Sequence, residues 1–113
     1  MNNQQFTRRV PNARSQVRPS RTRELDRSEI LEVTSAIGSE TRWRIIKTLA
    51  TETRTIQELT EIIGLTKGTI SAHVKQLEEA GLVASRFNVS DNGGVEKELS
   101  LAVDELTLDF RQI

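Results

Sequence analysis

The chain has no cysteine, no tyrosine, one tryptophan and one histidine in 113 residues. Without cysteine there is no disulfide, no thiolate metal centre and no cysteine redox switch. A single imidazole cannot supply the clustered nitrogen ligands of a zinc or copper site, so no metal ion and no cofactor is expected. A catalytic role for His73 would need a nucleophile or an orienting carboxylate beside it, and no motif provides one, so the chain does not read as an enzyme. No phosphate-cradling glycine loop and no internal repeat is present, and Gly93-Gly94 reads as a turn. There is no run of the roughly eighteen apolar residues a membrane span needs, and Arg8-Arg9 is not followed by the apolar stretch of a targeting signal. No membrane partner and a cytoplasmic location are the expectation.

What is present is concentrated between residues 64 and 83. Gly64-Leu65 ends one helix, Thr66 is placed to cap the next, and Ile70, Val74 and Leu77 recur at helical spacing until Gly81 stops it. The opposite face carries Lys67, Gly68, Ser71, Ala72 and Lys75, small or hydrogen-bonding groups with two cations. Such a face lets a helix approach base edges and phosphates closely. In isolation, any amphipathic surface helix with a few lysines would look the same; the surroundings decide. Upstream, Thr55-Ile56-Gln57-Glu58 is a capping box and Ile56, Leu59, Ile62 and Ile63 form one apolar stripe. A helix of roughly nine residues therefore leads through a tight turn into the next, the spacing of a helix-turn-helix. Ser39 caps an earlier helix bearing Trp43, Ile45, Ile46 and Leu49, in which the lone tryptophan is expected in the core. Downstream, Leu82 to Val89 and Val95 to Val103 alternate around Ser90-Asp91-Asn92-Gly93-Gly94, a hairpin with a glycine-rich tip. The expected fold is mainly α with a small β-hairpin (α+β), a winged helix-turn-helix.

Two stretches make this specific. Gly38-Ser39-Glu40-Thr41-Arg42-Trp43-Arg44-Ile45-Ile46 resembles the opening of the ArsR-like winged-helix repressors, and residues 69–83 resemble their recognition helix and first wing strand. The resemblance runs from Ala36 to about Val103. It implies sequence-specific DNA binding by a homodimer, with Thr66, Lys67, Thr69, Ser71 and His73 at or near the positions that family sets against DNA. The family's metal sensors use thiolates, or His and carboxylate groups on a long C-terminal helix, and this chain departs from them in having neither. For His73 two readings stand together: a donor to phosphate or base at the edge of the recognition helix, or a structural side chain beside the turn between helices.

The net charge of zero conceals an uneven distribution. Residues 1–23 hold six arginines, Arg8, Arg9, Arg14, Arg18, Arg21 and Arg23, and no acid, which leaves ten basic against sixteen acidic groups for residues 24–113. With Pro11 and Pro19 and almost no apolar content, this arm is expected to lack a fold of its own and to form a unit separate from the winged domain at 24–113. It suits phosphate contact or minor-groove insertion, the alternatives being a solubilising tail or a segment that folds back on the acidic body. On the body, Arg86 and Lys97 of the wing and Asn92 at its tip complete the expected DNA contacts. Arginine outnumbers lysine twelve to four, a balance common in halophilic archaea.

Two apolar segments remain outside the winged core. Asp26-Arg27-Ser28-Glu29 is a second capping box, and the helix it starts carries Ile30, Leu31, Val33 and Ile37. At the other end stand Leu106, Leu108, Phe110 and Ile113. These segments are expected to form the homodimer interface; otherwise they cover the monomer's own core. A two-fold dimer would read a pseudo-palindrome with half-sites about one helical turn apart. The functions left open are a dimeric transcriptional regulator on double-stranded DNA, a winged-helix protein-binding module of a transcription or viral assembly, and a non-specific architectural DNA binder.

Overall fold

Two glycines with left-handed backbone set the frame. Gly64 (φ 84°) ends one helix and Gly81 (φ 77°) ends the next, conformations a side chain would strain. The structure is a computed structural model and describes residues 20–112. In chain order the elements are β1 (Thr22–Glu24), α1 (Ile30–Ile37), α2 (Glu40–Thr51), β2 (Arg54–Thr55), α3 (Ile56–Ile63), α4 (Lys67–Glu79), β3 (Val83–Val89), β4 (Val95–Leu101), β5 (Glu105–Thr107) and a 3-10 turn at Phe110–Gln112.

The caps are those the sequence signals. The Ser39 hydroxyl accepts from the Arg42 amide, Thr55 and Glu58 form the reciprocal capping box, and Thr66 accepts from the Thr69 amide. At the end of α4 the Leu82 amide reaches the Leu77 carbonyl (2.9 Å) and the Gly81 amide the Glu78 carbonyl (3.0 Å). This is the paired bonding of a Schellman stop. Asp26 and Glu29 also exchange the expected bonds, each side chain accepting from the other's amide at 3.1 Å, but over a turn that precedes α1.

Wing strands β3 and β4 pair antiparallel from Val83↔Leu101 to Val89↔Val95. The second strand stops at Leu101, short of the expected Val103, which still packs on the core. The sequence gives no hint of β2, which adds to the outer side of β4 through Arg54↔Leu99 and makes the sheet three-stranded. Ile45, Leu59, Ile70, Leu77, Leu99, Val33 and Val74 form a fully buried core where α1 to α4 meet the base of the wing, and among the described residues no polar or charged residue is buried with them. None of the described helices is long and apolar enough to cross a membrane.

Three expectations are corrected. Trp43 is 48% exposed, because the buried stripe of α2 follows Ile45 and Leu49; Trp43 shares the adjoining face with Ile46 and Lys47. There it lines an apolar groove of about 320 Å³ with Leu101, Val103 and Leu106. Residues 20–23, read as the end of the arm, instead enter the fold: β1 runs parallel to β5, and the Arg21 guanidinium and amide both bond to the Asp104 carboxylate. The dimer set is likewise divided. Val33 is wholly buried in its own core, Ile30, Ile37, Leu106 and Leu108 pack against that core, and Leu31 and Phe110 are exposed. Burial in the chain's own interior removes Val33 from any contact with a partner. Ile113 and residues 1–19 lie outside the described residues.

Candidate nucleic-acid interface

Helix α4 is divided lengthwise by its pattern of side chains. Ile70, Val74 and Leu77 are buried, while Lys67, Gly68, Thr69, Ser71, Ala72, Lys75 and Gln76 are exposed. An added Cβ at Gly68 would meet nothing within 4 Å, so the first turn presents bare backbone outward. Thr66 uses its hydroxyl twice, accepting the Thr69 amide and donating to the Thr69 hydroxyl at 2.9 Å. The Thr69 proton is thereby left to point elsewhere. Among the described residues neither Lys67 nor Lys75 makes an ion pair, and no acid stands in the first turn. Two free ammonium groups, the positive end of the helix dipole and two small residues make this a face for anions and for polar edges.

The remaining candidates are placed less uniformly. His73 is partly buried, and its Nδ1 lies 3.1 Å from Arg42 Nη1. Because arginine is always a donor, Nδ1 is the acceptor of this bond. The same guanidinium donates from Nε to the Ala36 carbonyl (2.6 Å) and from Nη2 to the Ser35 carbonyl (3.3 Å), tying α4 and α2 to the end of α1. Thus His73 is turned toward Arg42 and the end of α1, not toward the turn at residues 64–66.

On the wing, Arg86 Nε pairs with Glu98 at 3.0 Å and Lys97 Nζ with Glu78 at 3.4 Å. Hydrogen bonds from Asn88 and then Arg86 hold the Glu98 carboxyl below its ordinary value. Asn92 is at the tip, where its Oδ1 accepts from the Ser90 hydroxyl and the Gly94 amide, closing the turn around left-handed Gly93. Both wing cations therefore have partners within the chain, and so does Arg21. Arg8, Arg9, Arg14 and Arg18 lie outside the described residues. Among the described residues no group of three or more His, Asp or Glu is arranged to hold a metal ion.

Sequence reasoning missed two features. Gln76 shares the exposed face one turn beyond Ala72, a position readable from helical spacing. Phe87, Val89 and Val95 are exposed on the wing, which alternation alone could not show because it marks a face, not where the core beneath it ends.

The backbone geometry has known counterparts. Residues 39–85, from the cap of α2 to the first wing strand, match the model of the bacterial regulatory protein, arsR family. No curated protein matches the chain. Among solved structures it is similar to reduced HlyU from Vibrio cholerae N16961, at 21% identity over 66% of this chain and 74% of that one, with a TM-score of 0.58. It is also similar to the homodimeric winged helix-turn-helix DNA-binding domain Mb0332 from Mycobacterium bovis, at 24% identity over 66% and 65% of the two chains, with a TM-score of 0.60. The transcriptional repressor BigR from Xylella fastidiosa is similar at 23% identity over 66% and 68%, with a TM-score of 0.56. At these identities the likeness is one of fold. Residues 39–85 thus match the arsR-family model, and the described chain has the winged helix-turn-helix fold.

Proposed function

We propose that the chain is a transcriptional regulator that binds double-stranded DNA as a homodimer in the cytoplasm, with α4 in the major groove. The observation that carries this reading is the outer face of α4. Lys67, Ser71 and Lys75 are exposed, neither lysine makes an ion pair among the described residues, and Gly68 and Ala72 leave room between them for a groove edge. Lys67 and Lys75 supply phosphate attraction; Ser71 and Gln76 are the hydrogen-bonding groups placed to read base edges. His73 acts on the helix from within, through Arg42. Dimerisation uses Leu31 and Phe110, which have no place in the monomer core.

The arginines at 8, 9, 14 and 18 add phosphate contacts, so removing residues 1–19 lowers affinity and flattens the dependence of log K on log salt as fewer counterions are released. Arg21 stays with Asp104 and takes no part.

Selection of duplexes from a randomised pool by the full-length chain, at two salt concentrations, tests the reading. Enrichment of a two-fold symmetric site is expected. Retention without sequence enrichment would make the chain an architectural binder, and no retention at either salt would leave the protein-binding module.

A further inference from the structure

The wing carries an apolar stripe that runs past the core it serves. Val83, Ser85, Phe87 and Val89 alternate on one face of β3, paired in register with Leu101, Leu99, Lys97 and Val95 of β4. At the base, Val83 and Leu99 are buried. Toward the tip, Phe87 (69%), Val89 (77%) and Val95 (69%) are exposed, although they continue the same stripe. Three large apolar side chains clustered at the tip of the hairpin, two of them on the edge strand β3, are a liability unless something covers them.

The wing's cations are already engaged within the chain. Arg86 and Lys97 are tied to Glu98 and Glu78, and Asp91, Glu96 and Glu98 leave the wing net acidic. Alternation puts Glu96 and Glu98 on the face opposite Phe87 and Val95. The apolar face is also continuous with α4: a cleft of about 390 Å³ is lined by Lys67 and Ser71 of α4 and by Phe87 and Val95 of the wing, with Glu96 and Lys97 at the same cleft. A phosphate held by Lys67 brings its own deoxyribose, the apolar part of the DNA backbone, toward Phe87 and Val95.

We propose that the outer wing face, Phe87, Val89 and Val95, packs on the deoxyribose edge of the duplex beside the major-groove site, so that the wing contributes apolar contact in place of phosphate attraction. This rests on the DNA-binding reading of α4. It makes the wing's share of affinity independent of salt, since apolar burial releases no counterions, while the share from α4 stays salt-dependent.

The test is equilibrium binding of the full chain to its enriched duplex across a salt series. Wild type is compared with Lys67→Ala and with Phe87→Thr/Val89→Thr/Val95→Thr, β-branched replacements that keep strand preference, each with its thermal unfolding recorded. Val89→Thr alone serves if the triple variant unfolds early. The expected result is a loss of about tenfold or more for the triple variant, and roughly fourfold for Val89→Thr, at unchanged salt slope. Lys67→Ala should lower the slope. Wild-type affinity in a folded wing variant overturns the proposal, as does a loss accompanied by a changed slope. Unchanged DNA binding with lost self-association or partner binding would reassign the face to protein. Failure of wild type to bind any duplex would remove the DNA reading itself, a result distinct from all of these.

Discussion

The Arg42 guanidinium donates to His73 Nδ1 across 3.1 Å, joining α2 to α4 through a side chain that also holds the end of α1. Removing Arg42 takes the side-chain donor from the Ala36 carbonyl and from the imidazole, while the Ser35 carbonyl keeps the Gly38 amide; removing His73 costs one bond. Arg42→Ala is expected to destabilise the chain by about 1–3 kcal/mol and His73→Ala by less, measured by urea unfolding. His73→Ala should leave the salt slope of DNA binding unaltered. A slope lower by about one would place a charged His73 on a phosphate.

Gly68 separates stability from binding. Its position is helical and open, so Gly68→Ala should stabilise the fold by roughly 0.5–1 kcal/mol through the better helix propensity of alanine. The same methyl group stands between the α4 backbone and any groove it enters, and DNA affinity should fall. A variant that is more stable and binds as well as wild type would mean the first turn does not approach the duplex closely.

Gly81 is constrained twice. Its φ of 77° disfavours any side chain, and an added Cβ would sit 2.8 Å from Arg23 Nη1, which donates to the Ala80 carbonyl. Gly81→Ala should cost about 1–2 kcal/mol, from the left-handed backbone alone. The arginine is the flexible end of a long side chain, so adding Arg23→Ala should recover little of it. Full recovery in the double variant would make the steric contact, not φ, the dominant strain.

Leu31 and Val33 are two residues apart on α1 and predict opposite phenotypes. Val33→Ala opens a cavity in the core and should lower stability by about 2 kcal/mol with no change in oligomeric state. Leu31→Glu should leave monomer stability within about 0.5 kcal/mol, as for other surface changes, and shift the proposed dimer toward monomer in sedimentation. A Leu31→Glu chain that sediments like wild type would remove Leu31 from the interface.

Acid should weaken the fold only at low pH. Asp26 is held below its ordinary value of 3.8 chiefly by the Ser28 hydroxyl, and Glu29 below 4.5 chiefly by the Arg23 guanidinium. Glu98 and Asp109 are lowered too, by Asn88 with Arg86 and by Arg111 respectively. A carboxyl depressed in the folded state contributes its stability above the unfolded value and loses it as pH falls through the folded one. The melting temperature should therefore be flat between about pH 7 and pH 5 and decline below the ordinary carboxylate range, less steeply in high salt. A loss of stability already at pH 6 would contradict this assignment to the carboxylates.

The parts legible in the sequence are those coded locally. The caps at Ser39, Thr55 and Thr66 and the stops at Gly64 and Gly81 are short-range chemistry, so the helix-turn-helix could be drawn from spacing alone. Trp43 could not be placed in the same way, because residue type says that a tryptophan is apolar while the neighbours of α2 decide which of its faces is covered. The β1–β5 ladder joins residues 83 apart and leaves no periodic trace in three-residue strands. For the same reason Arg21 looked like a free cation until the fold brought Asp104 beside it. At the interface, the exposed set Lys67, Gly68, Ser71, Ala72 and Lys75 follows from helical period. The pairing of Arg86, Lys97 and His73 depends on contacts between elements, which a pattern along the chain does not carry.

The central claim is that the outer face of α4 meets the duplex. Titration of the isotopically labelled full chain with its enriched duplex, followed by backbone amide NMR shifts, tests it most directly. The largest changes are expected over residues 66–75, with a second set at residues 87–95, and little change around Trp43, Ile46 and Leu106. Changes centred on the Trp43 groove with a silent α4 would contradict it.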